Sequence, residues 1–598
     1  LEKVNIKFGK SALILSLALL IMAIFQLSRM GLLRNTRETA NEPVEKVTLQ
    51  QLNEYELMTD KTRIAIVRDG DDVNKEYIEN KILSYLTHLG FEFRVLDRKT
   101  IDQLPDFDMA IVLLNDMDEG YFMTSVMNYV QDGNTAFFPY LPYDFDVFSA
   151  NLSPLGIIEH VYDEYRLTRI LDLQGVLGAK RRVYNLPRGV MGRAKVRLTS
   201  DAELLLITEE TPLLWKKSYG DGAFIVSSLY FLATSESRGV LAHCLYEGLF
   251  KSKKEPMIQP YYGISTTVIS DLPVPMYVKD SPMLDEMAVD QDTFNLEHLY
   301  AAFMNLSKKY GDKLSLSYTV DYSDTFNEEM PETLKRSQFM LYTSLATRTG
   351  GEIVLGGYSN HPLGLKGELE EIGYFVPWIS EDKIKESFHI ASMYTKDYYP
   401  DYILRTYQPP QGRLSMNVLH ELKDYAENVD VLLNRYRTEY QDQIQGDYKV
   451  LHESGIYLYS IGIEEGAAMW GAVNGAMSLG ITSYGFQSYR LLSEKMTYAD
   501  FLKDVEEAYS WQKAANLDYM TPSQAADTLK TIQKTRIYHQ SFYNELKYEI
   551  DGFYEGMAFL LRSELEPVVK DGSYRRLGAF YLVYPASDRG TITWKEEP

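Results

Sequence analysis

The sequence predicts an α/β protein built in series: an N-terminal membrane-spanning helix, an open parallel-sheet domain, a distorted barrel of alternating strands and helices, and a small closing β domain. Three observations predict it. A long apolar run stands near the N-terminus, strand-like and helix-like segments alternate twice along the body, and only strand-like patterning follows Ile537. The chain has 598 residues, well beyond the roughly 250–300 at which a single core stops growing.

Lys3, Lys7 and Lys10 precede the apolar run, which extends from Ser11 to Met30. About 20 such residues form about 30 Å of helix, enough to cross the hydrocarbon layer. No small-x-small cleavage pattern follows, so residues 1–36 are expected to be a cytoplasmic tail and an uncleaved anchor. Arg29, Arg34 and Arg37 balance the upstream lysines. The orientation, N-terminus inside and the bulk of the chain extracytoplasmic, therefore rests on the shortness of the tail and the acidity of the body. A buried helix of a soluble body is the other reading of this run. Residues 37–60 are polar and read as a linker.

Residues 61–254 form the first alternating region. Arg63–Val67, Phe91–Leu96, Met109–Leu114, Thr135–Pro139, Leu204–Thr208 and Ala223–Ser227 read as strands, with helices near Asn74–Leu89 and Ser237–Phe250. The acidic loop Arg68–Asp72 after the first strand reads either as a cation loop or as a solvated turn with a helix-starting aspartate. The one cysteine, Cys244, stands in an apolar helical stretch and reads as a buried structural thiol, leaving no internal disulfide and no cysteine metal site.

Residues 255–536 form the second alternation, with strands expected at Thr266–Asp271, Leu314–Val320, Glu352–Leu355, Tyr402–Arg405, Val429–Leu433 and Ile481–Phe486. The sites of such barrels gather where strands end. Three segments stand there: Ser270 and Asp271 before Pro273, Ser359-Asn360-His361-Pro362, and Arg405 before Pro409 and Pro410. Residues 537–598 carry strand patterns at Leu546–Ile550, Met557–Leu561, Ala579–Val583 and Gly590–Trp594, a small β-sandwich-like domain.

The order of elements in residues 61–254 resembles the amidotransferase-like flavodoxin fold, without its nucleophilic cysteine. The three strand-end segments resemble those of polysaccharide deacetylases, and nearly everything after the anchor resembles the DUF2194 family. That resemblance implies a membrane-anchored protein pairing the two domain types, some members lying in Pel-like exopolysaccharide clusters. It implies a divalent metal, normally zinc, with an aspartate base and a histidine acid. The sequence departs from the pattern. Ser270 stands where the base belongs, leaving Asp271; His361 has Gly357 four residues before it, and the register shifted by one offers Gly356 and Asn360. The late acidic segment is replaced by Thr482–Tyr489. The metal and catalytic candidates are therefore Asp271 and His361, with Arg405 as a third catalytic candidate; Tyr358, Arg405, Tyr407, Trp470 and Tyr484 are the candidates to line a sugar groove, core packing being the other reading for each.

The net charge of −23 argues against a nucleic-acid partner. The expected function is a membrane-anchored exopolysaccharide accessory protein whose degenerate deacetylase-like domain binds polymer or organises synthase or export components, with no cofactor. Two alternatives stand beside it. One is an active N-deacetylase completing a zinc site with Asp321, Glu464 or Glu465; the other is a protein-interaction platform without glycan binding.

Overall fold

The computed structural model describes residues 62–70, 73–114, 120–141, 152–209, 211–228, 232, 237–253, 255–270, 272, 277–322, 326–328, 330, 336–369, 376–435, 448–451, 455–462, 467–493, 496–542 and 544–595. The apolar run Ser11–Met30 and the linker at 37–60 lie outside the described residues, as do Asp71, Asp72, Asp271, Glu464 and Glu465. Among the described residues no helix is long and apolar enough to cross a membrane.

The first sheet has nine strands: β1 (Arg63–Arg68), β2 (Glu92–Leu96), β3 (Met109–Leu113), β4 (Thr135–Phe138), β5 (Ile157–Asp172), β6 (Arg182–Leu198), β7 (Glu203–Ile207), β8 (Pro212–Tyr219) and β9 (Gly222–Ser227). Their spatial order is β2-β1-β3-β4-β9-β8-β7-β5-β6. The first five pair in parallel, and β3, β4 and β9 are buried along their whole length. Continuous apolar runs suit strands covered on both faces. The remaining strands extend the sheet antiparallel. The long β5–β6 hairpin is absent from the sequence reading because three register shifts interrupt its two-residue period.

Next come β10 (Met257–Tyr261), β11 (Ile264–Ser270), β12 (Ser315–Tyr318), β13 (Ile353–Leu355), β14 (Thr406–Tyr407), β15 (Val431–Arg435), β16 (Lys449–Leu451), β17 (Ile456–Ile461), β18 (Ile481–Gln487) and β19 (Asp518–Tyr519). Strands β17-β15-β14-β13-β12-β11-β18 run parallel in that order. A bridge between Gly462 and Tyr484 brings β17 against β18, so the sheet nearly closes into a barrel. Helix starts between the strands are capped by side chains, as at Ser380, Ser415 and Thr521, whose hydroxyls accept a backbone N–H three residues on. The fourth strand is two residues long and lies just after the expected Tyr402–Arg405, because Pro409 and Pro410 end it and Ile403 faces solvent.

The chain closes with β20 (Arg536–Ser541), β21 (Glu545–Asp551), β22 (Ala558–Arg562), β23 (Pro567–Val569), β24 (Gly572–Leu577), β25 (Phe580–Pro585) and β26 (Arg589–Trp594). They form two four-stranded antiparallel sheets, β10-β22-β25-β24 and β20-β21-β26-β23. Between them lie Leu546, Ile550, Phe559, Leu561, Val583 and Ile592. Strand β10, read as part of the barrel region, thus belongs to this sandwich.

Candidate functional site

Alternation along β11 and β18 divides their side chains between the helices outside and the barrel axis. Thr267 of β11 bonds to Tyr509 on a surrounding helix, and the Tyr484 hydroxyl of β18 donates to the Ala468 carbonyl, also on a helix. Their neighbours turn inward. The Thr266 hydroxyl meets the hydroxyls of Tyr459 on β17 and Ser483 on β18 at 3.1 and 3.0 Å. Further along the strand, Ser270 Oγ donates to Gln408 Oε1 at 2.9 Å. Because β12 and β13 separate β11 from β14, that bond spans the barrel mouth. Hydroxyls and a carboxamide therefore stand at this end of the axis, with the buried Val268 between Thr266 and Ser270 on the same face of β11.

Around the same carboxyl ends stand other polar groups. Asp321, fully buried, follows β12 and bridges to Ser359 beyond β13, its N–H bonding the Tyr358 carbonyl at 2.7 Å. Past β18, Ser488 accepts from Gln291 Nε2 at 3.3 Å, and Gln487 is buried beside it. His361 is half-buried on the rim, its ring stacked on Phe326 with centroids 4.6 Å apart and its backbone N–H directed to Ser359 Oγ at 3.4 Å. Phe326 in turn packs on Trp378, whose indole N–H donates to the Pro362 carbonyl at 3.2 Å. The Phe326–Trp378 platform orients the His361–Pro362 turn.

The sequence candidates separate into three groups. His361 lies at the mouth, whereas Asp271, one residue past β11, lies outside the described residues. Arg405 is at the opposite end of the barrel, before β14. It donates to both carboxylate oxygens of Asp430 (3.1 and 2.6 Å) and both of Asp527 (2.7 and 2.9 Å). With its donors so occupied it fixes the base of the barrel and does not face a ligand at the mouth. The four aromatic candidates are core residues as folded: Tyr358, Tyr407, Trp470 and Tyr484 are each at most 2% exposed. Tyr407 turns outward onto Phe388, ring centroids 5.0 Å apart, and Trp470 packs against Tyr184 of the first domain at 6.0 Å. Burial, with a smaller push from the neighbouring Asp321 charge, raises the Tyr358 phenol well above the ordinary tyrosine range.

A deacetylase zinc would need three protein ligands and a water. Among the described residues no three His, Cys, Asp or Glu side chains converge, and Ser270, at the place of the base, donates its hydroxyl hydrogen bond to Gln408. His361 supplies one imidazole. Of the sequence's ligand candidates, Asp271, Glu464 and Glu465 lie outside the described residues. In the first domain, Arg68 of the acidic loop pairs with Glu79 at 3.3 Å, and Cys244 is buried, its thiol pushed up by desolvation. Gln408, Ser483, Gln487 and Gln291 were not singled out from the sequence; for Ser483 and Gln487 the signal available was the inward-facing alternate positions of β18.

Residues 173–577 match the family described as "Uncharacterised protein conserved in bacteria (DUF2194)". The sequence matches no curated protein. Among solved structures, the chain is similar to a ThuA-like protein from Bacteroides uniformis, 12% identical over 33% of this chain and 95% of that one, with a TM-score of 0.24. It is also similar to a β-mannanase from the blue mussel Mytilus edulis, at 7% identity over 42% and 92% of the two chains and a TM-score of 0.25. A third likeness is to a GH138 enzyme targeting pectin rhamnogalacturonan II, at 9% identity, 76% and 63% coverage and a TM-score of 0.23. At these scores the structural likenesses carry no argument about chemistry.

Proposed function

Since the chain belongs to the DUF2194 family, we propose that its barrel mouth holds a hydroxyl-rich glycan chain without hydrolysing it, in a membrane-anchored accessory protein of Pel-like exopolysaccharide biosynthesis. The observation that carries this reading is the group of uncharged polar side chains at the mouth, Ser270–Gln408 across the axis with Ser483 below it and Gln487 and Ser488 beside it, alongside the one buried carboxylate Asp321. Such groups both donate and accept, matching sugar hydroxyls without requiring a charged ligand. The test is binding of soluble glycan fragments to the full chain. Gln408→Ala is expected to weaken binding about tenfold, the value of roughly one buried hydrogen bond of about 1.4 kcal/mol. Unchanged affinity would remove the mouth as the site.

A second reading is a metal-dependent N-deacetylase, favoured by one observation: Asp321 is a buried carboxylate on the same end of the barrel as His361. Stoichiometric zinc in the purified chain, with acetate released from an acetylated glycan and lost in Asp321→Asn, would support this reading over the first. Absence of acetate release would reject it.

A further inference from the structure

Between β11 and β12 the chain runs through one continuous helical segment: the turn Gln291–Thr293, a π-helical stretch Phe294–Tyr300 of 7 residues, and the α-helix Ala301–Tyr310. A π-helical stretch is rare, has poorer hydrogen-bond geometry than an α-helix, and recurs at functional sites. Here it is held from two sides. The Tyr498 hydroxyl donates to the His298 carbonyl and the Tyr300 hydroxyl to the Tyr342 carbonyl, each at 2.9 Å. Within the stretch stands Asn295, 1% exposed, and neither its Oδ1 nor its Nδ2 has a hydrogen-bond partner among the described residues. A buried amide left unpaired at both atoms costs stability, whereas a leucine would fill similar space without that cost.

One turn before Asn295 on the same helix face, Gln291 Nε2 donates to Ser488 Oγ just past β18 at 3.3 Å. Further along the helix, the Phe303 ring packs on Phe486 of β18 with centroids 4.6 Å apart. Asn295 lies between these two contacts, which puts it at the carboxyl end of β18, beside Ser488. On the reading of the mouth as a glycan site, we infer that Asn295 is a further ligand-binding residue there, taking two adjacent sugar hydroxyls. One hydroxyl donates to Oδ1 and the other accepts from Nδ2, because a carboxamide presents an acceptor and a donor side by side. The sugar reaches them as Ser488 exchanges its long bond to Gln291 for one to the ligand. A residue that breaks the rule for buried polar groups in a strained helical turn, next to a polar cluster, trades stability for binding.

The experiment combines thermal melting with calorimetric titration of cellohexaose and of chitohexaose into the full chain. The unmodified chain is expected to bind at least one of them. Asn295→Leu is expected to melt no lower than the unmodified chain yet to bind that hexasaccharide about tenfold more weakly, the value of roughly one hydrogen bond. Asn295→Ala, which cannot overpack, is expected to lose affinity to a similar degree. Preserved stability with reduced affinity is a combination that a purely structural asparagine does not give. Unchanged affinity in either variant overturns the proposal, and leaves the glycan reading standing where Gln408→Ala still weakens binding. A lower melting temperature for Asn295→Leu would mark an amide satisfied by buried water and overturn the proposal whatever the affinity. Binding of neither hexasaccharide by the unmodified chain would overturn the glycan reading and the role of Asn295 together.

Discussion

Arg405 joins Asp430 and Asp527 through four hydrogen bonds, and its bond to Asp527 holds that carboxyl below the usual carboxylate range. Paired guanidinium and carboxylate groups of this partly exposed kind contribute about 1–2 kcal/mol. Arg405→Ala should therefore lower stability in urea by that amount while leaving glycan affinity unchanged, where a ligand-contacting arginine would lose binding. Asp312 behaves in the opposite sense. Burial pushes it up to about 6, against hydrogen bonds from Tyr509 and Thr267. A carboxyl raised in the folded state contributes stability below its unfolded value near 4 and loses it as pH rises through about 6. A rise of that size corresponds to about 3 kcal/mol. Asp312→Asn removes this dependence, so its stability relative to the unmodified chain should rise between pH 4 and about 6 and level off above that; a flat difference would refute the assignment.

At the scale of elements, helix Arg238–Lys253 packs against helix Ala468–Ser478 at a backbone contact. A Cβ on Gly239 would stand 2.7 Å from Asn474 Cα, and Asn474 Oδ1 accepts from the Val240 N–H at 3.2 Å. Gly239→Val must push the helices apart, at a cost of about 1–3 kcal/mol, read as a lowered denaturation midpoint. The helix Ala468–Ser478 is buried along its whole length, which explains why Trp470 serves the core. Its apolarity was legible in the sequence, but which neighbour covered it was not. The sixth parallel strand of the barrel, β17, was not read from the sequence for a related reason: a short apolar run bounded by a glycine has no period that separates a buried strand from a buried helix.

Across the whole molecule, Glu247 ties the first domain to the closing sandwich. It accepts from Lys216 Nζ at 2.9 Å and from Arg562 at 2.7 Å, Arg562 lying on β22. Burial opposes the Glu247 charge, but the His243 ring and the two cations overcome it and hold its carboxyl down to about 2. A depressed carboxyl contributes stability above its unfolded value near 4.5 that is lost as pH falls toward 2. Desolvation likewise holds His243 down to about 4. Its contribution is present above 6.5 and fades as pH falls through that window. Glu247→Gln takes the carboxylate away from Arg562 and leaves Lys216 with Glu203 alone, and should cost about 3 kcal/mol, more than Arg405→Ala, with a shallower loss of stability below pH 4.5. Equal midpoints for the two variants would show that this junction is not under electrostatic tension.

The sequence by itself determined the class of each region, because the periods of burial are local: the apolar runs of β1, β3 and β4, the alternation after Ile537, and the strand–helix rhythm between them. It also placed His361 and Ser270 at strand ends. Only the tertiary structure decided which side chains share the barrel axis. Whether Tyr407 faces a groove or Phe388, and whether Arg405 meets a ligand or two aspartates, depends on strand register and on residues 25 and 122 positions away. Those pairings exist only once the sheet has curled, since a one-residue change of register exchanges the inner and outer faces of a strand.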